Sequence, residues 1–116
     1  MGKVYLCNAF SLNMLDESKS KFTLSVDRVS EEEVKKLLRY RTDFISAIGH
    51  ESTARFLSKR LGIPIKANRI QVKLREGDYA IVCQIMKRLP EGAVLSEEEL
   101  EKVPVCYYIV GIEFSY

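Results

Sequence analysis

The sequence predicts an α+β domain: a mixed, mostly antiparallel sheet of about five strands with two main helices packed on one face. Three observations predict it. Short β-branched and aromatic runs recur along the chain, bounded by turn residues. Two longer stretches repeat apolar residues at helical spacing behind capping signals. The length, 116 residues with 47% hydrophobic and 29% charged side chains, supports one core and falls short of two ordinary domains. Residues 1–116 are therefore read as a single domain.

Taken in order, Lys3–Asn8 reads as a short buried strand, ended by the turn-forming stretch NAFSLN. Lys21–Val29 alternates polar residues with Phe22, Leu24 and Val26, the pattern of a half-buried strand. Ser30 and Glu33 form a capping box that opens a helix to about Arg39, with Val34, Leu37 and Leu38 on its apolar face. Ile45–Gly49 leads into a second helix, Glu51–Leu61, stopped by Gly62 with Pro64 beyond it. Arg69–Leu74 and Tyr79–Met86 read as two strands of a hairpin joined by REGD. Lys87–Leu95 carries Pro90 and Gly92 and reads as an exposed loop. Ser96 and Glu99 repeat the capping-box spacing for a short helix to about Lys102, and Val105–Phe114 reads as a central strand.

Composition narrows the function classes. No apolar run approaches the ~20 residues of a spanning helix, and no charged-then-apolar leader opens the chain, so no membrane role is expected. Eighteen Lys and Arg against sixteen Asp and Glu give a net charge of +2, far from that of a protein that coats duplex DNA. Arg69, Lys73 and Arg75 make one local basic cluster, so an anion is expected in a shaped pocket rather than on a broad positive surface. Cys7, Cys83 and Cys106 are widely spaced and carry no CxxC or Cys/His pattern, which argues against structural zinc. They read as buried small hydrophobes in a reducing cytosol, with a Cys83–Cys106 bridge left open.

Three stretches could carry chemistry. His50, the single histidine, stands in AIGHEST at a helix start, where Ser52, Thr53 and free backbone N–H groups offer an anion site. A histidine beside a bound phosphate can protonate a leaving oxygen. On position alone, a simple helix cap is the more economical reading of His50. Arg88 and Glu91 in RLPEG could grip a phosphate and orient the imidazole, or equally be charges on a solvated loop. Asn8, Ser11 and Asn13 in NAFSLN could read a base edge or ribose, or simply form a turn. No GxxxxGK[ST], GxGxxG, HExxH or DxD motif is present, which disfavours P-loop hydrolysis and two-metal chemistry.

Together KVYLCNAFSLNM, AIGHEST, NRIQV, EGDYAIV and RLPEGAVLS, in this order, resemble the viral anti-CRISPR ring nucleases of type III systems. The resemblance spans nearly the whole chain. It implies a small archaeal-virus or phage protein that acts in the host cytoplasm on cyclic tetra-adenylate. His50, Arg88 and Glu91 would be its catalytic residues, with Asn8, Ser11, Asn13, Ser52, Thr53, Arg69 and Gln84 contacting the ligand. It further implies a homodimer enclosing the ring, no metal or other cofactor, and di-adenylate products ending in 2′,3′-cyclic phosphates.

The chemistry is consistent with that assignment, because RNA carries its own nucleophile in the ribose 2′-OH. The protein has only to align that hydroxyl and protonate the departing 5′-oxygen. A two-fold dimer would offer each site twice to a ring that itself has two-fold axes. On the residues alone two other classes stay open. One is a non-catalytic dimeric module that sequesters a cyclic nucleotide or binds a viral or host protein. The other is a DNA-binding regulator, which the small net charge and missing recognition helix disfavour.

Overall fold

The computed structural model describes residues 2–87 and 96–116. In chain order the elements are β1 (Val4–Cys7), a 3-10 turn (Leu12–Met14), β2 (Phe22–Val29), α1 (Glu31–Tyr40), β3 (Ile45–Ser46), α2 (Glu51–Leu61), β4 (Tyr79–Ile85), α3 (Glu97–Lys102) and β5 (Val105–Ser115). The strands form one five-stranded mixed sheet in the order β2-β5-β4-β1-β3. The long ladders, β2 with β5 and β5 with β4, are antiparallel. β1 pairs in parallel with both β4 and β3. Three parallel strands therefore end at one rim of the sheet, and whatever follows β1, β3 and β4 emerges there.

The helices start and stop where their side chains satisfy loose backbone groups. In α1 the Glu33 amide donates to Ser30 Oγ (3.2 Å) and the Ser30 amide donates to Glu33 Oε1 (3.3 Å), and Ser96 and Glu99 repeat this box on α3. Gly62 ends α2 at φ 68°, where its amide closes on the Ser58 carbonyl at 2.9 Å.

Period-two alternation sorts the strand residues into two cores. On one face Val4, Leu6, Ile81, Cys83 and Tyr107 pack against Val34 and Leu38 of α1, Phe56, Leu57 and Leu61 of α2, and Leu100 of α3. On the other face Tyr5, Cys7, Ala80, Val82, Val110 and Ile112 are covered in part by Phe10, Met14, Val72 and Leu74. All three helices thus share one face. Arg60 ties them together: its Nε donates to Glu31 Oε1 (2.8 Å), and its NH1 donates to the carbonyls of Leu100 (2.9 Å) and Val103 (2.6 Å). The Tyr107 hydroxyl donates to the same Glu31 oxygen at 2.7 Å.

Two expectations need correction. Arg69–Leu74 is not a sheet strand: β4 has β1 and β5 as its neighbours, so no place remains for a hairpin partner. The stretch is instead an irregular cover whose Val72 and Leu74 bury against the helix-free face, with one bridge from Leu74 to Leu15. The REGD turn does form, with Gly77 at φ 90°, and the Asp78 carboxylate accepts the amides of Lys3 (2.9 Å) and Arg75 (3.1 Å). It leads from this cover into β4. The fifth strand is the two-residue β3. The Cys83–Cys106 bridge is also ruled out: Cys83 registers with Tyr107 and Cys106 with Gln84, so the two thiols project from opposite faces. All three cysteines are free.

Burial pushes the Cys7 thiol up to about 11, and it raises the Cys83 thiol and the Tyr107 hydroxyl as well. Each group ionises earlier in the unfolded chain than in the folded one. Their stabilisation is therefore complete below the ordinary thiol value and is lost as pH rises from about 8.5 toward 11. Cys7 alone removes about 2 kcal/mol by pH 11. Thermal melts of the reduced protein should be flat from pH 7 to 8.5 and fall steeply above pH 9, with Cys7→Ala losing less over the same interval. A melting temperature unchanged to pH 10.5 would contradict this account.

Candidate functional site

The rim where the parallel strands end gathers several of the residues singled out in the sequence. Open sheets with parallel strands present loops and helix starts just beyond those carboxyl ends, which is where ligands characteristically bind. Asn8 follows β1 directly, and Gln84 lies near the end of β4, exposed on the face opposite the helices. The segment after β3 continues beside β1, with the Ala47 amide donating to the Leu6 carbonyl at 2.8 Å, and then enters α2 at His50.

His50 occupies the N-cap position with an extended backbone (φ −120°, ψ 134°), and its carbonyl accepts the Ala54 amide at 3.0 Å. Its side chain is exposed and makes no capping hydrogen bond. The imidazole is thus not occupied as a helix cap. Glu51, Ser52 and Thr53 form the first turn, where amides have no intrahelical acceptor and the helix dipole favours an anion. Ser52 and Thr53 are half-buried there.

Arg69 reaches the same place from a distant part of the chain. A side chain built on Gly49 would lie 3.8 Å from Arg69 Nε, so the guanidinium arm runs past the residue next to His50. A bracket of hydrogen bonds holds that approach. The Asn68 amide donates to the Ile48 carbonyl and Asn68 Nδ2 to the Ser46 carbonyl, both at 2.7 Å, and Ser46 Oγ donates to the Lys66 carbonyl at 2.6 Å. Ile48, fully buried, anchors the middle of this segment.

Ser11 and Asn13 are placed differently. They flank and occupy the exposed 3-10 turn that runs over the helix-free face. Lys73 Nζ donates to the Asn13 carbonyl (2.7 Å), and the Leu74 amide donates to the Met14 carbonyl (2.7 Å). These bonds tie the turn to the 73–74 stretch rather than to the His50 turn. Gln84 shares a shallow groove of about 270 Å³ with Ala9, Phe10, Val26, Val82, Tyr108 and Val110, beside the start of NAFSLN. Arg88 and Glu91, with the rest of RLPEG, lie outside the described residues.

The expected basic cluster is dispersed. Lys73 is spent on the Asn13 and Leu15 carbonyls and on Glu17 (2.8 Å), and Arg75 sits in the turn that enters β4, at the opposite end of that strand from Gln84. Arg69 alone of the three approaches Gly49, the residue before His50. Sequence reasoning found Arg69 and passed over its neighbour Asn68, whose clamp depends on a contact with Ser46, 22 residues away. No local pattern announces such a bond. Among the described residues, no group of three or more His, Cys, Asp or Glu side chains is placed to hold a metal ion, and no helix is long and apolar enough to cross a membrane.

Comparison with known proteins places relatives around this geometry. The family described as STIV B116-like matches residues 4–112. The protein ORF117 of Acidianus two-tailed virus is 41% identical over 113 residues, covering 95% of this chain and 94% of its own. The YddF protein of Bacillus subtilis is 36% identical over 85 residues, covering 72% of this chain and 79% of its own. Among solved structures, B116 of Sulfolobus turreted icosahedral virus superposes with a TM-score of 0.84 at 38% identity, covering 95% of this chain and 99% of that one.

Proposed function

The chain belongs to the STIV B116-like family of small archaeal-virus proteins, and from that premise we propose that it is a metal-independent ring nuclease. In this reading it opens cyclic tetra-adenylate into linear di-adenylates with 2′,3′-cyclic phosphate ends. Working in the host cytoplasm, it thereby blocks type III CRISPR signalling as an anti-CRISPR. The observation that carries the reading is the state of His50. The only imidazole in the chain stands exposed at the rim of the parallel strands, uncommitted to capping, over a helix start suited to an anion, with Arg69 against the preceding residue, Gly49.

The chemistry asks little more of the protein. A ribose 2′-oxygen attacks the adjacent phosphorus, and the P–O5′ bond breaks. The departing 5′-oxygen takes a proton from the His50 imidazolium, while the 2′-hydroxyl proton passes to water. The first-turn amides of α2 and Arg69 would hold the phosphate. Arg88 would neutralise charge developing on its oxygens, and Glu91 would orient and recharge the imidazole. Asn8, Gln84, Ser52 and Thr53 surround the same rim and supply polar contacts to sugar and base. Ser11 and Asn13 would meet a ligand that extends over the helix-free face.

We propose the protein acts as a homodimer. The sheet ends on one side in β2, an eight-residue edge, and the apolar groove beside Gln84 is open to solvent. A second copy would cover that surface and present a second His50 to the opposite linkage of the ring, so that two cuts release two dinucleotides.

The purified chain, incubated with labelled cyclic tetra-adenylate in excess EDTA, should convert it to di-adenylates. A ring bound but returned intact would identify a sequestering module instead, and duplex binding with a steep salt dependence would favour a DNA-binding role.

A further inference from the structure

The link between β3 and α2 is the part of the molecule on which the aim of His50 depends, and it is irregular backbone. Its groups must find partners outside the sheet ladder. On one side the Ala47 amide reaches β1 through the Leu6 carbonyl. On the other side a single residue, Asn68, meets the carbonyl that ends β3 and one within the link: its side-chain Nδ2 bonds to Ser46 and its amide to Ile48, each at 2.7 Å. The next residue along, Arg69, lies against Gly49, and the one after Gly49 is His50.

We infer that Asn68 is a positioning residue for His50 and Arg69: its two-point clamp fixes the imidazole and the guanidinium in one geometry. This rests on the ring-nuclease reading for its consequence and on the hydrogen bonds for its cause. The backbone half of the clamp survives any substitution at 68 except proline, whereas the Nδ2 half does not. Loss of Nδ2 leaves the half-buried Ser46 carbonyl without its donor and frees the link to tilt. An error of about 1 Å in a reacting group costs up to ~10²-fold in rate. With half of the clamp retained, Asn68→Ala should lower kcat about tenfold and raise KM by less than that.

The chain has one histidine, so the ring signals of His50 in a nitrogen-15 or carbon-13 NMR spectrum need no assignment. Asn68→Ala and Asn68→Asp should move or broaden those signals as well as lower kcat. Asn68→Ser keeps a short donor and should recover part of both. Ser46→Ala is no clean control, because Ser46 Oγ also accepts the Ile48 amide at 3.4 Å within the link. Tyr107→Phe, which removes only the bond to Glu31 on the helix-covered face, should leave the His50 signals in place at a comparable loss of melting temperature.

The inference is overturned if the Asn68 variants keep wild-type His50 signals and kcat within twofold, or if Tyr107→Phe disturbs His50 as much as they do. A wild-type chain that leaves the ring uncut would instead sink the ring-nuclease reading. The NMR comparison would still decide whether Asn68 sets the imidazole.

Discussion

His50→Ala should lower the rate of ring opening by ~10²–10⁴ while leaving ring affinity within a few-fold and the melting temperature almost unchanged. The rate loss is that of a general acid removed from a reaction whose nucleophile belongs to the substrate. The unchanged stability follows from the structure. The His50 side chain is exposed and caps nothing, so its truncation leaves no backbone group newly unsatisfied and should cost less than about 0.5 kcal/mol. If the residue were only a cap, the pattern would invert: alanine would cost about 1 kcal/mol of stability and nothing in rate. Rate and melting temperature, measured on one preparation, separate the two roles.

Leu57→Ala should show the opposite signature. Leu57 is fully buried on the face of α2 that packs against α1 and the sheet. Removing its isobutyl group forfeits transfer free energy and leaves a cavity that the close-packed core refills only in part, at a cost of about 3–4 kcal/mol. The melting temperature should fall on the order of 15 °C. Well below the new midpoint the proposed ring opening should still run at close to the wild-type rate, because the first turn of α2 is left unchanged. A fall of only a few degrees would mean that the helices are less tightly seated on the sheet than their burial indicates.

What could be read in advance was whatever local chemistry controls. Ser30 with Glu33 and Ser96 with Glu99 mark helix starts because the bonds that satisfy those amides are made within four residues, and Gly62 marks a stop because a left-handed cap favours glycine. The long strands Phe22–Val29 and Val105–Ser115 were visible in their β-branched and aromatic runs. The misread stretch, Arg69–Leu74, alternates like a strand because Val72 and Leu74 bury on one side. Covering a sheet face demands the same alternation as joining the sheet. β3 is only two residues long and pairs with a strand some 40 residues earlier, so nothing in its own composition reveals it.

The site divides along the same line. His50, Ser52 and Thr53 were legible because a helix start places them by local rule. The approach of Arg69 to Gly49 and the clamp of Asn68 depend on a tertiary path across the sheet rim, and no spacing in the sequence encodes it.

The most direct measurement compares cyclic tetra-adenylate with its 2′-deoxy analogue, each incubated with the purified chain and chelator and resolved by mass spectrometry. The account predicts that the ribose ring yields a product of half its mass with no water added, the signature of a 2′,3′-cyclic phosphate, and that the deoxy ring is bound but survives. Cleavage of the deoxy ring, or primary products that have gained water, would mean that the protein activates a nucleophile of its own, and would contradict the role assigned to His50.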